Sequence, residues 1–92
     1  MWISDLVWTD SNLERIARHG VEQHEVEEVV FGASFARKGR GEERYYVYGQ
    51  TESGRYLTVI ADHEGEGWFF VVTARDMTSE ERRGYRKNRS KK

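Results

Sequence analysis

The 92-residue chain contains no cysteine and no proline. Without thiols there is neither a disulfide framework nor a thiolate zinc site, and a reducing cytoplasm is the expected setting. Without proline, low-complexity blocks or repeats there is no sign of a linker or solenoid, so 1–92 reads as one domain with a flexible basic tail at 88–92. Long hydrophobic runs are missing too: none approaches the roughly 20 residues that span a bilayer. The opening MWISDLVWTD has two acids and none of the basic residues that begin a secretory leader, so no membrane association is expected. The three histidines lack HxH or HExxH spacing, and no Gly-Lys-Ser loop, nucleophile elbow or dinucleotide fingerprint is present. A metal centre, nucleotide hydrolysis and redox chemistry are therefore not expected, and no cofactor is predicted.

What the chain has in abundance is charge, unevenly placed. The net charge is only -1, but residues 1–33 hold two basic residues, Arg15 and Arg18, against seven acids, whereas residues 73–92 hold eight basic residues against three acids. A basic end fits phosphate or an acidic partner, and equally a solvated lysine and arginine tail.

The hydrophobic period changes along the chain. DSNLERIARHG predicts a helix capped at Asp10 or Ser11, with Leu13, Ile16 and Ala17 on one face and Gly20 as its stop. VEQHEVEEVVFG repeats the plan, with Val26, Val29 and Val30 inward, Glu25, Glu27 and Glu28 outward, and Gly32 ending it. SFARKG is then a short strand, KGRGEE a basic loop, and RYYVYGQ a strand that TESG turns back into RYLTVIADH. There Tyr56, Thr58 and Ile60 share one face while Leu57, Val59 and Ala61 share the other. EGEG turns the chain into WFFVVTAR, after which Thr78 and Glu81 have the spacing of a capping box for a last, basic helix. The expected class is α+β: two N-terminal helices, an antiparallel meander of three to four strands, and a C-terminal helix.

The order of these signals, with His19-Gly20-Val21, the Gly49 to Gly54-Arg55 hairpin, Ala74-Arg75, Glu81-Arg82 and Tyr85, resembles the BrnT family of toxins from bacterial type II toxin–antitoxin systems. The likeness runs over about residues 6–87. It implies a RelE-like fold, an endoribonuclease that inhibits translation, and a hetero-oligomer with a cognate antitoxin. The chain departs from the family pattern at Arg15, where asparagine is usual, and at Phe70, where arginine is frequent; Thr73 replaces a common serine.

Metal-independent RNA cleavage uses the substrate's own 2'-hydroxyl as nucleophile. The protein must stabilise the phosphorane and move protons to and from the 2'- and 5'-oxygens. Arg75, at the end of an apolar strand, is the leading candidate for holding phosphate; its rival role is an ion pair with Asp76, Glu80 or Glu81. Tyr85, His63 and Lys38 are the further catalytic candidates, with Glu81 another possible proton carrier and Tyr85 alternatively an anchor for its helix. Arg37, Arg40, Arg44, Arg55, Arg82, Arg83, Arg86 and Lys87 are candidates for contact with the RNA backbone. His19 reads as part of a helix cap and His24 as an exposed helical residue. Aromatics at 45, 46, 48, 56 and 68–70 suit a core or, in part, a stacking platform. The competing functional class is a non-catalytic module that binds a partner protein, and a weaker one is a housekeeping RNA-binding domain.

Overall fold

In the computed structural model, residues 3–41 and 43–90 are described, without the side chains of 89 and 90. The first helix, α1 (Asp10–Ala17), is capped one residue earlier than Asp10. Thr9 Oγ1 accepts the Asn12 N–H at 3.1 Å while Asn12 Oδ1 accepts the Thr9 N–H at 2.8 Å. Asparagine thus fills the position that a capping box usually gives to Glu or Gln, and Asn12 is buried with Ile16, leaving Ala17 exposed. At the other end Gly20 has φ 68°. Its N–H bonds Ala17 O and the Val21 N–H bonds Ile16 O, which satisfies two free carbonyls and folds Val21 back onto Ile16.

Val26, Val29 and Val30 form the buried stripe of α2 (Gln23–Phe31). Glu25 does not face outward as the helical period suggests. Its carboxylate accepts the Glu22 N–H and pairs with Arg55 at 3.2 Å, with 14% of its side chain exposed.

Four further strands follow or close the chain: β2 (Phe35–Lys38), β3 (Arg44–Gln50), β4 (Tyr56–Gly65) and β5 (Trp68–Asp76). A fifth, β1 (Asp5–Val7), lies where the sequence suggests only a lead-in, and it pairs in parallel with β5. Three residues are too few to display a period, and what makes them a strand is the free edge of β5 together with burial of Leu6. The sheet order is β1-β5-β4-β3-β2, antiparallel except for that edge. A two-residue turn, Glu66-Gly67, joins β4 to β5 with φ of 50° and 88°, the mirror-image conformation whose twist matches a hairpin.

One sheet face is the core. Val47, Leu57, Val59, Ala61, Phe69 and Val71 meet Ile16, Val26, Val29 and Val30 of the first two helices and Val21 of their connection. Each of these side chains larger than alanine contributes about 1.5–3 kcal/mol by leaving water. α2 lies so close to β3 that a Cβ on Gly49 would stand 2.9 Å from Val29 Cγ1.

The last helix, α3 (Ser79–Ser90), crosses the opposite face. Tyr85 anchors it, 1% exposed, with its ring 5.6 Å from Phe35 and 5.9 Å from Tyr56 and its hydroxyl donating to Ala33 O at 3.2 Å. Helix continues to Ser90, through residues that the sequence suggests as a flexible tail; 91 and 92 lie outside the described residues.

Candidate functional site

Strand register lines up four side chains across the sheet on the α3 face. Phe35 of β2 opposes Tyr48 of β3, which opposes Thr58 of β4, which opposes Arg75 of β5. The next row on that face is Arg37, Tyr46, Ile60 and Thr73. α3 brings Glu81 and Tyr85 down onto the first row. Between helix and sheet lies a groove of ≈ 500 Å³ lined by Phe35, Arg37, Tyr48, Glu81, Tyr85 and Asn88 among others.

Glu81, in the wall of this groove, forms an ion pair with Arg75 of the sheet. Arg75 Nη1 and Nη2 donate to Glu81 Oε1 and Oε2 at 2.7 and 3.0 Å. Glu81 Oε1 also accepts from Thr58 Oγ1 at 3.0 Å and from the Thr78 N–H at 2.9 Å, the latter being half of the expected capping box. Burial pushes the Glu81 carboxyl up, but the hydrogen bonds from Arg75, Thr78 and Thr58 and the arginine charge outweigh it and hold the pKa to about 2. The hydrogen bond to Glu81 raises the Arg75 pKa against burial. Tyr48, 5% exposed, is raised by burial against the opposing charge of Arg37, so it keeps its proton at neutral pH.

The four catalytic candidates divide between the two faces. Arg75 and Tyr85 lie on the α3 side of the sheet, whereas Lys38 and His63 lie on the core face. Lys38 pairs across from Tyr45 with Nζ 6.0 Å from that ring, and His63 pairs across from Phe69 with the rings 4.9 Å apart. Alternation sends both away from Arg75.

The basic candidates divide as well. Arg55 is a clamp: it bonds Asp76 at 2.8 Å, Glu25 at 3.2 Å and the carbonyls of His19 and Gly20. Arg44 forms a two-pronged pair with Asp62 at 2.8 and 3.0 Å. Arg82 stacks its guanidinium 4.4 Å above Tyr56 and, with Arg83 and Arg86, lines an exposed hollow on α3. Arg37 is exposed at the groove, Arg40 in the loop before β3, and Lys87 on α3. Arg15 donates to Val72 O at 3.3 Å and Phe70 opposes Asp62.

Sequence reasoning named Tyr48 only within a possible stacking platform and overlooked Thr58 as part of a site. Counting back from the TESG turn, with even positions on one face, would have set Tyr48 opposite Thr58, but placing Arg75 beside them requires the β4–β5 register. That register slips by one residue at Val72, where Ile60 opposes Thr73 and Ala61 opposes Val71.

The chain matches no family model and no curated protein. Among the described residues no helix is long and apolar enough to cross a membrane.

Proposed function

We propose that the protein is a metal-independent endoribonuclease, the toxin of a type II toxin–antitoxin pair, and that Arg75 binds the phosphate at which RNA is cut. The observation that carries this reading is the placing of Arg75: an interior strand sets it in one row with Thr58 and Tyr48 on the sheet face that α3 crosses, bonded to Glu81, which lines a groove with Arg37, Tyr48 and Tyr85, under a helix whose exposed residues include Arg82, Arg83 and Arg86. A guanidinium carried by a sheet strand, once it exchanges Glu81 for phosphate, meets the charge that develops on phosphorus with little further reorganisation. The 2'-oxygen attacks the adjacent phosphorus, the 5'-oxygen leaves, and a cyclic phosphate remains; Arg75 stabilises the charge between those steps. The hydroxyl of Tyr48, in the same row as Arg75, is a further candidate for donating to the leaving oxygen. A cognate antitoxin would neutralise the same basic surface with acidic side chains.

Labelled RNA incubated with the purified protein in EDTA tests this. The wild type is expected to cut and Arg75→Ala to lose at least a hundredfold in rate, as removal of one charge-stabilising donor does elsewhere. Equal cutting by both proteins would remove Arg75 from the mechanism.

One observation favours a second reading, a non-catalytic module that holds a partner protein. The Glu81 carboxylate is held ionised by its hydrogen bonds, and Lys38 and His63 stand on the opposite face. Absence of cleavage by the wild type, alone and with ribosomes, would favour this module.

A further inference from the structure

We infer that Glu81 is the internal occupant of an anion site whose external ligand is a backbone phosphate of single-stranded RNA, so that α3 and substrate compete for Arg75. The inference rests on the reading of Arg75 as a phosphate ligand and adds regulation to it. Four donors converge on the Glu81 carboxylate: two guanidinium N–H groups of Arg75, the Thr58 hydroxyl and the Thr78 N–H. This is the donor set that a phosphate oxygen pair would seek, and a guanidinium meets carboxylate and phosphate with the same two-pronged geometry. While Glu81 occupies the fork of Arg75, a phosphate cannot take it in that way.

Two of the three donor residues, Arg75 and Thr58, belong to the sheet and keep their positions when α3 moves. Arg37 lines the same groove and has no acidic partner among the described residues. The helix that carries Glu81 is built to yield. Gly84 lies between Glu81 and Tyr85, yet a Cβ there would meet nothing within 4 Å, so space does not demand glycine. Glycine inside a helix weakens it relative to alanine. The turn from Thr78 to Gly84 can therefore loosen while Tyr85 stays anchored.

Binding of a short uncleavable 2'-fluoro RNA to the full chain measures the competition. Glu81→Gln should bind about tenfold more tightly than wild type. Glu80→Gln is the charge control, since it removes the same charge one residue away without freeing Arg75, and its gain should be small. In Arg75→Ala/Glu81→Gln the gain should vanish. Thr78→Ala, which weakens the cap that seats Glu81, should tighten binding severalfold, and Gly84→Ala, which stiffens α3, should weaken it severalfold. These two carry the test if Glu81→Gln fails to fold. Equal gains from Glu80→Gln and Glu81→Gln would overturn the competition while leaving Arg75 as a phosphate ligand. Wild type and Arg75→Ala binding RNA equally well would overturn both that role and the competition.

Discussion

Arg75 and Glu81 have a consequence for stability as well as for binding. The Glu81 carboxyl is shifted from its ordinary 4.5 to about 2 in the folded protein. A carboxyl with a depressed folded value stabilises the fold above its unfolded pKa, and that contribution is lost as pH falls through the interval between 4.5 and about 2. With 19% of the side chain exposed, the contribution is roughly 1–3 kcal/mol after allowance for solvent screening. Urea melts should show that wild type loses this much more stability than Glu81→Gln between pH 5 and pH 2. Asp76, lowered by its hydrogen bond from Arg55, adds to the acid loss in both proteins and cancels in the comparison. Parallel pH profiles would show that the ion pair contributes nothing net. At this scale the sequence was legible in part: the Thr78 and Glu81 spacing announced a capping box, and Glu81 was among the possible partners of Arg75. That one carboxylate serves Thr78, Thr58 and Arg75 together could not be read, because Thr58 is 23 residues from Glu81 along the chain and meets it only through packing.

Among the elements, the β4–β5 hairpin contains a local conflict between residue and conformation. Glu66 adopts φ 50°, the left-handed region that asparagine and glycine enter more easily than glutamate. Glu66→Asn should stabilise the protein by about 0.5 kcal/mol, read as a rise of a few degrees in the melting temperature. An unchanged or lower melting temperature would mean that the turn is not under strain. The three helices and the four longer strands were legible because each displays its period over several residues. β1 was not, and neither was the bulge at Val72, since an edge strand and a register slip are decided by the neighbouring strand.

For the whole molecule, the charge asymmetry along the chain becomes an asymmetry across the sheet. The acidic helices α1 and α2 cover the core face, and α3 lies on the other. If RNA follows α3, replacing Arg82, Arg83 and Arg86 by alanine should weaken binding and flatten its salt dependence by about 0.7 in logarithmic slope for each lost contact. Arg55→Ala should behave in the opposite way. It dismantles the junction of α1, α2 and β5 and should cost roughly 1–3 kcal/mol of stability, with the salt slope unchanged. Calorimetry and binding titrations over a range of salt separate the two. A flattened slope for Arg55→Ala would return this residue to the RNA-binding surface.

The amino-acid sequence by itself determined the α+β class, the two helices before the meander and the basic helix after it, because local periods and caps act within a few residues. It also determined that Arg75 would end a strand beside carboxylates. Only the tertiary structure decided which face each side chain occupies in the assembled sheet. Pairing between strands placed Tyr48 and Thr58 with Arg75, sent Lys38 and His63 to the other side, and turned Arg44 and Arg55 from free cations into structural ties. The reason is physical: alternation along a strand is local, but register and the docking of α3 depend on partners distant in the chain.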